Sequence, residues 1–379
     1  MAPATEWDLL FFVPNVSVPT TTPFDGGVVR LCAGTDPLLQ QLHLSPGNIR
    51  AARMLQRFQT QFGHRYLPAC IVVQHGAPRV ARHAETLRAF RNCCAISTIL
   101  PAYKGAQWEP TFSDHFDIYP LAPARSGWIV TNDAIVRGLH RPQGFRGAPS
   151  PLIQAPTQFT YHPARRLLGR LIIAWRRCYL RSRRRRELNR LFRSIEIALH
   201  ACRFPTDSLL SLHDAGLRLV LWVSAFEILL HPQGGRVRLP PVLGVIRTLE
   251  WNNRRLAARR YSVTYTNVPP RVSLPEAVYY DLYMARNDFG HGNEVPARRL
   301  WFRRDRRRAL LSELAPLIYW KVLERRLDQL FPAQNIQPPA GGGAGWLLTP
   351  RGQRYMAQRA AQWADMQGLE RALLQGASS

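Results

Sequence analysis

Lysine is nearly missing from this 379-residue chain: Lys104 and Lys321 are the only two, and every other basic residue is arginine. Acid is scarce as well, 25 Asp+Glu against 51 Lys+Arg, which leaves a formal net charge of +26. The two shortages have different causes. A coding bias towards Arg, Ala and Pro accounts for arginine in place of lysine, and the chain carries 30 prolines. It does not account for the missing carboxylates. So large a one-signed charge is self-repelling unless counter-charge is bound, and a polyanion is the expected partner. The six cysteines include no C-x-x-C pair, and the adjacent Cys93 and Cys94 are unsuited to an ordinary disulfide. Reduced thiols packed in a core are expected. Metal signatures are missing too: His75, His83 and Glu85 lie close in sequence, but neither H-x3-H nor H-E-x-x-H occurs. Nor is there a G-x-S-x-G elbow or a phosphate-binding GxxxxGK[ST] loop. The start lacks a charged segment followed by an apolar one. The most apolar run, Leu217 to Leu230, carries Arg218 and Glu227 and is too short to span a bilayer. The expectation is a cytoplasmic protein with no metal, small-molecule cofactor or membrane partner.

What is present falls into two textures. Residues 1–140 alternate short apolar runs with Pro, Gly and Asp: Leu9–Val13, Val28–Cys32, Ala69–Val73, Ala95–Leu100, Phe116–Leu121 and Trp128–Val130 read as strands. Two helical patterns intervene, one from Ser45-Pro46 through Ile49, Met54, Leu55 and Phe58, the other over about Val80–Cys93. This is an α+β module. Residues 141–162 are rich in Pro, Gly and Gln and read as a linker. From 163 to 331 the spacing of apolar residues turns helical. Helices are expected from Ala164 to Cys202, from Thr206-Asp207 to a stop at His231-Pro232, from Pro240-Pro241 through Leu256, from Leu274-Pro275-Glu276 onwards, and from about Arg306 to Leu330. The second is apolar nearly all round in its later half, as a buried central helix is. A flexible linker (332–349) and a C-terminal amphipathic helix or tail (350–379) complete a chain that is mainly α. Trp175 and Tyr179 are expected in the core.

The most informative stretch is Tyr283-Met284-Ala285-Arg286-Asn287-Asp288-Phe289-Gly290-His291. On an unbroken helix, residues five apart point about 140° away from each other. Gly290 permits positive φ and a chain reversal, which would fold His291 back towards Arg286. A guanidinium there can grip a phosphate in a fork, an imidazole can move protons near neutral pH, and Asn287 can orient either. The plainer reading keeps Arg286 and Asp288 solvated, with His291 capping the helix. Glu227 lies in an apolar stretch and needs a cation; Arg286 and the arginines of the first helix are both candidates.

Arg286-Asn287-Asp288-Phe289-Gly290-His291 resembles the R-x4-6-H signature of HEPN domains, and Ala225-Phe226-Glu227-Ile228-Leu229 is similar to the helix that precedes it in the Apea-like branch. The resemblance covers about residues 164–330. It implies an all-α bundle of about five helices that homodimerises across two such motifs. It further implies a metal-independent endoribonuclease with catalytic residues Arg286, Asn287 and His291, in phage defence or a toxin-like stress response; Glu227, Asp288 and Tyr283 are the supporting residues expected around that set. Other members of the family are inactive RNA-binding or protein-interaction modules, and that alternative remains.

Arginine clusters frame this motif. Twelve arginines against the single acid Glu187 lie between Arg165 and Arg193, including Arg183, Arg184, Arg185 and Arg186; a second run holds Arg303, Arg304 and Arg307. Such one-signed density suits a phosphate-backbone track on RNA, while a solvated helix face is the plainer reading.

Overall fold

The computed structural model describes residues 7–19, 24–41, 48–59, 63–105, 113–124, 127–130, 159–160, 162–181, 186–203, 211–231, 239–291, 295–305, 308–332 and 349–377. The fold is an α+β module followed by a helical part, and it is mainly helical, as expected. Two compact units divide the chain: Met1–Ala95 with Ser113–His162 and Trp175–Arg183, and Ile96–Phe112 with Pro163–Ala174 and Arg184–Ser379. The division falls inside the helix Ala84–Ala102 and at the end of the helix Arg165–Trp175.

In the first unit the strands are β1 (Trp7–Val13), β2 (Val16–Ser17), β3 (Phe24–Asp25), β4 (Val29–Cys32), β5 (Ala69–Gln74), β6 (Tyr119–Ala124), β7 (Gly127–Val130) and β8 (Phe159–Thr160). Six of them form one sheet in the order β3-β4-β5-β1-β6-β7, every neighbour antiparallel. β5 is buried from Ala69 through Val73, which is why it reads as an unbroken apolar run instead of an alternating one. In β1 the alternation changes phase: Trp7 and Leu9 are buried, Leu10 and Phe11 half-buried, Phe12 buried again. A register shift between Leu9 and Phe11 is the cause, one extra residue moving later side chains to the other face. Phe12 then stacks on Phe58, ring centroids 5.0 Å apart, over a core that includes Leu39, Ala51 and Leu55.

Ala95–Leu100, expected as a strand, is instead the later part of the helix Ala84–Ala102. Cys93, Cys94, Ala95, Ile96, Ile99 and Leu100 are all fully buried. A short run buried on every side carries no periodicity to separate strand from helix. All six cysteines are buried, in line with core thiols. Trp175 is buried against Phe90, its Nε1 donating to Thr86 O at 2.8 Å, whereas Tyr179 is only half-buried. The expected single helix from Ala164 to Cys202 is interrupted. It passes into a π-helical turn at Arg176–Leu180, where Arg176 Nε donates to Gly26 O, and becomes extended at Arg181.

The second unit is a helical bundle around the central helix Leu212–Leu229, with Arg186–Ala201, Leu274–Gly290 and Leu311–Leu330 packed on it. Thr206-Asp207 lie outside the described residues; the helix as described starts after Ser211, whose side chain accepts from Asp214 N. Phe226 is the hub, T-shaped to Tyr279 (4.9 Å) and to Tyr319 (5.4 Å). The expected helix through Leu256 stops at Arg247 and restarts at Arg254, because Asn253 caps the new start by accepting from Arg255 N. The 141–162 linker lies almost wholly outside the described residues, as does most of 332–349.

Glu313, at the start of Leu311–Leu330, accepts from Leu310 N at 3.2 Å. Burial pushes its carboxyl up to about 7, with the Leu310 amide and then Arg218 opposing the rise. A carboxyl whose folded value lies above its unfolded one stabilises the fold most below pH 4.5, and loses that contribution as pH rises through about 7. Thermal melts should therefore show stability falling between pH 5 and 8. Glu313→Gln should remove on the order of 2 kcal/mol of that fall. Burial raises the carboxyls of Glu227, Asp281 and Glu324 as well, so their contributions carry the same sign.

Candidate functional site

The motif helix Leu274–Gly290 begins where the sequence places it. Ser273 N and Oγ both donate to Glu276, at 2.9 and 2.7 Å, and Pro275 occupies the first turn. Residues Leu274 to Tyr283 are mostly buried; Arg286 to Phe289 are half-buried, and Gly290 and His291 are exposed. The helix thus leaves the core at its C-terminal end and presents the motif there. Phe289 fixes that end, its ring lying against the Cα of Gly216 where any side chain would collide with it.

Arg286 is gripped on three sides. Its Nη2 meets Glu227 Oε1 at 2.5 Å, its Nη1 donates to Asn287 Oδ1 at 3.1 Å, and its guanidinium lies 4.9 Å from the centroid of the Tyr283 ring. Of the two candidate cations for Glu227, Arg286 is the one used. Tyr283 is in turn edge-on to Tyr265 at 6.2 Å. Burial pushes the Glu227 carboxyl above its ordinary range, while Arg286, and more weakly His231, pull it back. The guanidinium is aimed but not sealed, since 27% of its side chain remains exposed.

His291 does not fold back. Gly290 stays helical, and the positive-φ glycines among the described residues are Gly27 and Gly63. The His291 amide still donates to Asn287 O at 3.0 Å. The helical bond pattern therefore runs to the histidine, and Arg286 and His291 leave the axis about 140° apart. The expected reversal is corrected: exposed at the helix end, glycine has no packing need that forces it from the α conformation.

Asp288 ties the motif to the segment beyond it. Its Oδ2 meets Arg299 Nε at 2.6 Å, with Arg299 buried. Of the arginines expected to hold RNA, Arg183, Arg184, Arg185 and Arg307 lie outside the described residues. Arg186 and Arg304 are exposed. Arg303 is committed within the fold. Its amide donates to Asp281 Oδ2 at 2.9 Å, its Nη1 to Ser262 O at 3.1 Å, and its guanidinium sits over the Tyr261 ring. A structural role describes it better than phosphate binding. Arg166 and Arg170 of the first cluster likewise face Asp328, Arg170 at 2.6 Å.

Three contributors were missed in the sequence. His231, read there only as a helix stop, acts electrostatically on Glu227 from four residues further along. Arg190 Nη1 donates to the His231 carbonyl at 3.0 Å. Tyr265 sits on a loop with no helical phase to announce it. The i, i+4 spacing of Glu227 and His231 was the available signal.

Among the described residues no group of three or more His, Cys, Asp or Glu side chains could hold a metal ion, and no helix is long and apolar enough to cross a membrane. A cleft of about 470 Å³ lies in the α+β unit, lined by Leu39, Ile49, Ala52, Leu55 and Leu67 among others, and brings no acid–base groups together. Comparison of the chain with family models, with curated proteins and with solved structures gives no match in any of the three.

Proposed function

We propose that the helical unit is a metal-independent endoribonuclease of HEPN type that works as a homodimer. One observation carries this reading: Arg286, in the motif Arg286-Asn287-x3-His291, is aimed by a half-buried carboxylate at the one end of its helix that reaches solvent. A structural ion pair alone does not require the same helix end to carry an exposed histidine. In the proposed reaction the ribose 2′-oxygen attacks the adjacent phosphorus and the 5′-oxygen leaves, giving a cyclic phosphate. Arg286 stabilises the charge building on the phosphoryl oxygens, Asn287 orients the guanidinium, and His291 transfers a proton. Arg186 and Arg304 contact the phosphate backbone, which gives affinity without base preference. A second copy supplies the facing motif, and with it an imidazole on the far side of Arg286.

The divergence of Arg286 and His291 within one chain favours a second reading, an inactive RNA-binding module in which both residues only shape an interface. Purified protein incubated with RNA in EDTA separates the two. The nuclease cuts RNA, leaves a 2′,3′-cyclic end and spares an all-deoxy strand. Salt-sensitive binding without cutting establishes the module, and cutting of the all-deoxy strand overturns the 2′-hydroxyl route.

A further inference from the structure

Between Trp251 and Leu274 lie five arginines and not one acid. The centre of that stretch folds as a two-stranded antiparallel ribbon, β9 (Arg260–Ser262) and β10 (Arg271–Ser273). Arg271 pairs with Ser262, Val272 with Tyr261 and Ser273 with Arg260. Side chains alternate between the two faces of such a ribbon. Tyr261 and Val272 therefore share its inner face: Val272 is fully buried, and the Tyr261 ring lies 5.4 Å from that of Phe302. Arg260 and Arg271 share the outer face as diagonal neighbours, both exposed. Like charges so placed repel, and the ribbon has no carboxylate of its own to relieve them.

The dense arginine runs are spent differently. Arg166 and Arg170 face Asp328, and Arg299 faces Asp288, whereas among the described residues no ion pair takes Arg260 or Arg271. Arg303 supports the ribbon from its inner side, its Nη1 donating to Ser262 O at 3.1 Å and its amide to Asp281. The turn Phe302–Asp305 around it is closed by Asp305 N donating to Phe302 O at 3.3 Å, with Arg303 and Arg304 both left-handed at φ 56°. That conformation is unfavourable for a residue with a Cβ. The packing holds it, and it leaves Arg304 exposed on the segment that backs the ribbon.

The loop joining the two strands ends at the motif helix. Val263 N donates to Pro270 O at 3.0 Å and Val268 N to Tyr265 O at 3.2 Å, with Asn267 supplying the positive φ of 64° that the turn requires. Thr264 O accepts from Tyr280 Oη at 3.1 Å. Tyr265 stands edge-on to Tyr283 at 6.2 Å, and the Tyr283 ring carries the Arg286 guanidinium at 4.9 Å. The ribbon thus runs, through its own loop, to the Arg286 site.

We infer that the β9–β10 ribbon binds the RNA backbone and leads it to Arg286, with Arg260 and Arg271 each gripping a phosphate; the inference rests on the ribonuclease reading for its destination and names the surface that holds the substrate. Guanidinium forks on phosphate oxygens give affinity and salt dependence without base preference.

The test is anisotropy binding of a 2′-O-methyl oligoribonucleotide over a salt series, beside single-turnover cleavage of the unmodified strand in EDTA. The 2′-O-methyl strand cannot be cut through the 2′-oxygen, so binding is read alone. Wild type is compared with Arg260→Gln/Arg271→Gln and with a control, Arg57→Gln/Arg65→Gln, which removes the same charge from exposed positions of the α+β unit. Circular dichroism checks folding. The ribbon variant should bind about tenfold more weakly, and its salt slope should fall by about 1.4, since each phosphate contact on a single strand contributes about 0.7. The control should keep its slope and lose less than about twofold. In cleavage the ribbon variant should need about tenfold more protein to reach a maximal rate within about threefold of wild type. A ribbon variant that matches the control in affinity and slope overturns the ribbon's role, and leaves the ribonuclease reading standing wherever wild type cuts. A wild type that binds without cutting overturns the ribonuclease reading instead, and the two salt slopes still decide whether the ribbon holds RNA.

Discussion

Arg286→Ala should lower single-turnover RNA cleavage by about 10²–10³-fold, the loss typical of removing one preorganised donor from the developing charge. Arg286→Lys should recover little of it. Lysine offers a point charge where the site holds a planar fork between Glu227 Oε1 and Asn287 Oδ1, stacked on Tyr283. Stability changes as well, because Arg286→Ala leaves Glu227 half-buried without its cation. The cost should be about 2 kcal/mol, reduced from the fully buried case by the 18% and 27% exposure of the two side chains. The sign of its pH dependence is set by Glu227. Burial already raises that carboxyl, and losing Arg286 raises it further, so a proton relieves the loss in acid. The variant should therefore be destabilised more at pH 8 than at pH 5. Adding Glu227→Gln removes the orphaned charge. The double variant should melt close to wild type and still fail to cleave. Recovery of activity along with stability would make Arg286 a structural residue only.

The legible parts of this chain are those where local chemistry decides the outcome. Ser273, Pro275 and Glu276 start the motif helix by capping, and the apolar surround of Leu217–Leu230 makes that helix central. Glu227 was readable as a carboxylate in need of a cation, because burying an unpaired charge costs too much. Its choice of Arg286 was not readable, since partner choice depends on which helices touch. The error at Ala95–Leu100 has the same root: burial on all sides erases the period that separates strand from helix. Gly290 shows the opposite failure. A residue permitted a reversal was expected to make one, yet permission without a packing demand leaves the helix running to His291. Arg303 shows what composition leaves out, for its guanidinium lies 3.7 Å from Asp281, 22 residues earlier, a tie that its place in a one-signed cluster does not announce.

The two lysines lead to the other large effect. Both face the C-terminal helix Pro350–Gly376: Lys104 Nζ meets Asp365 at 2.6 Å and lies over the Trp320 ring, and Lys321 Nζ is 3.6 Å from Glu370 and lies over the Trp251 ring. Past Trp363, which is exposed, that helix buries Met366, Leu369 and Leu373, so its end is docked on the bundle. Glu370 is the anchor. Only 1% exposed, it accepts from Asn252 N at 3.0 Å and from Asn253 N at 2.7 Å, holding the turn that starts the short helix Arg254–Ala258. Glu370→Ala would strand two amides and the Lys321 ammonium together, and should cost about 3 kcal/mol. Lys104→Ala, breaking a more exposed pair, should cost about 1 kcal/mol or less. Chemical denaturation measures both, and proteolysis reads the local consequence. In Glu370→Ala the chain should become cleavable beyond Trp363 in conditions where wild type is cut only before it. Equal losses for the two variants, or an uncut docked segment in Glu370→Ala, would mean that the apolar seam of Met366, Leu369 and Leu373 holds the helix without its ion pairs.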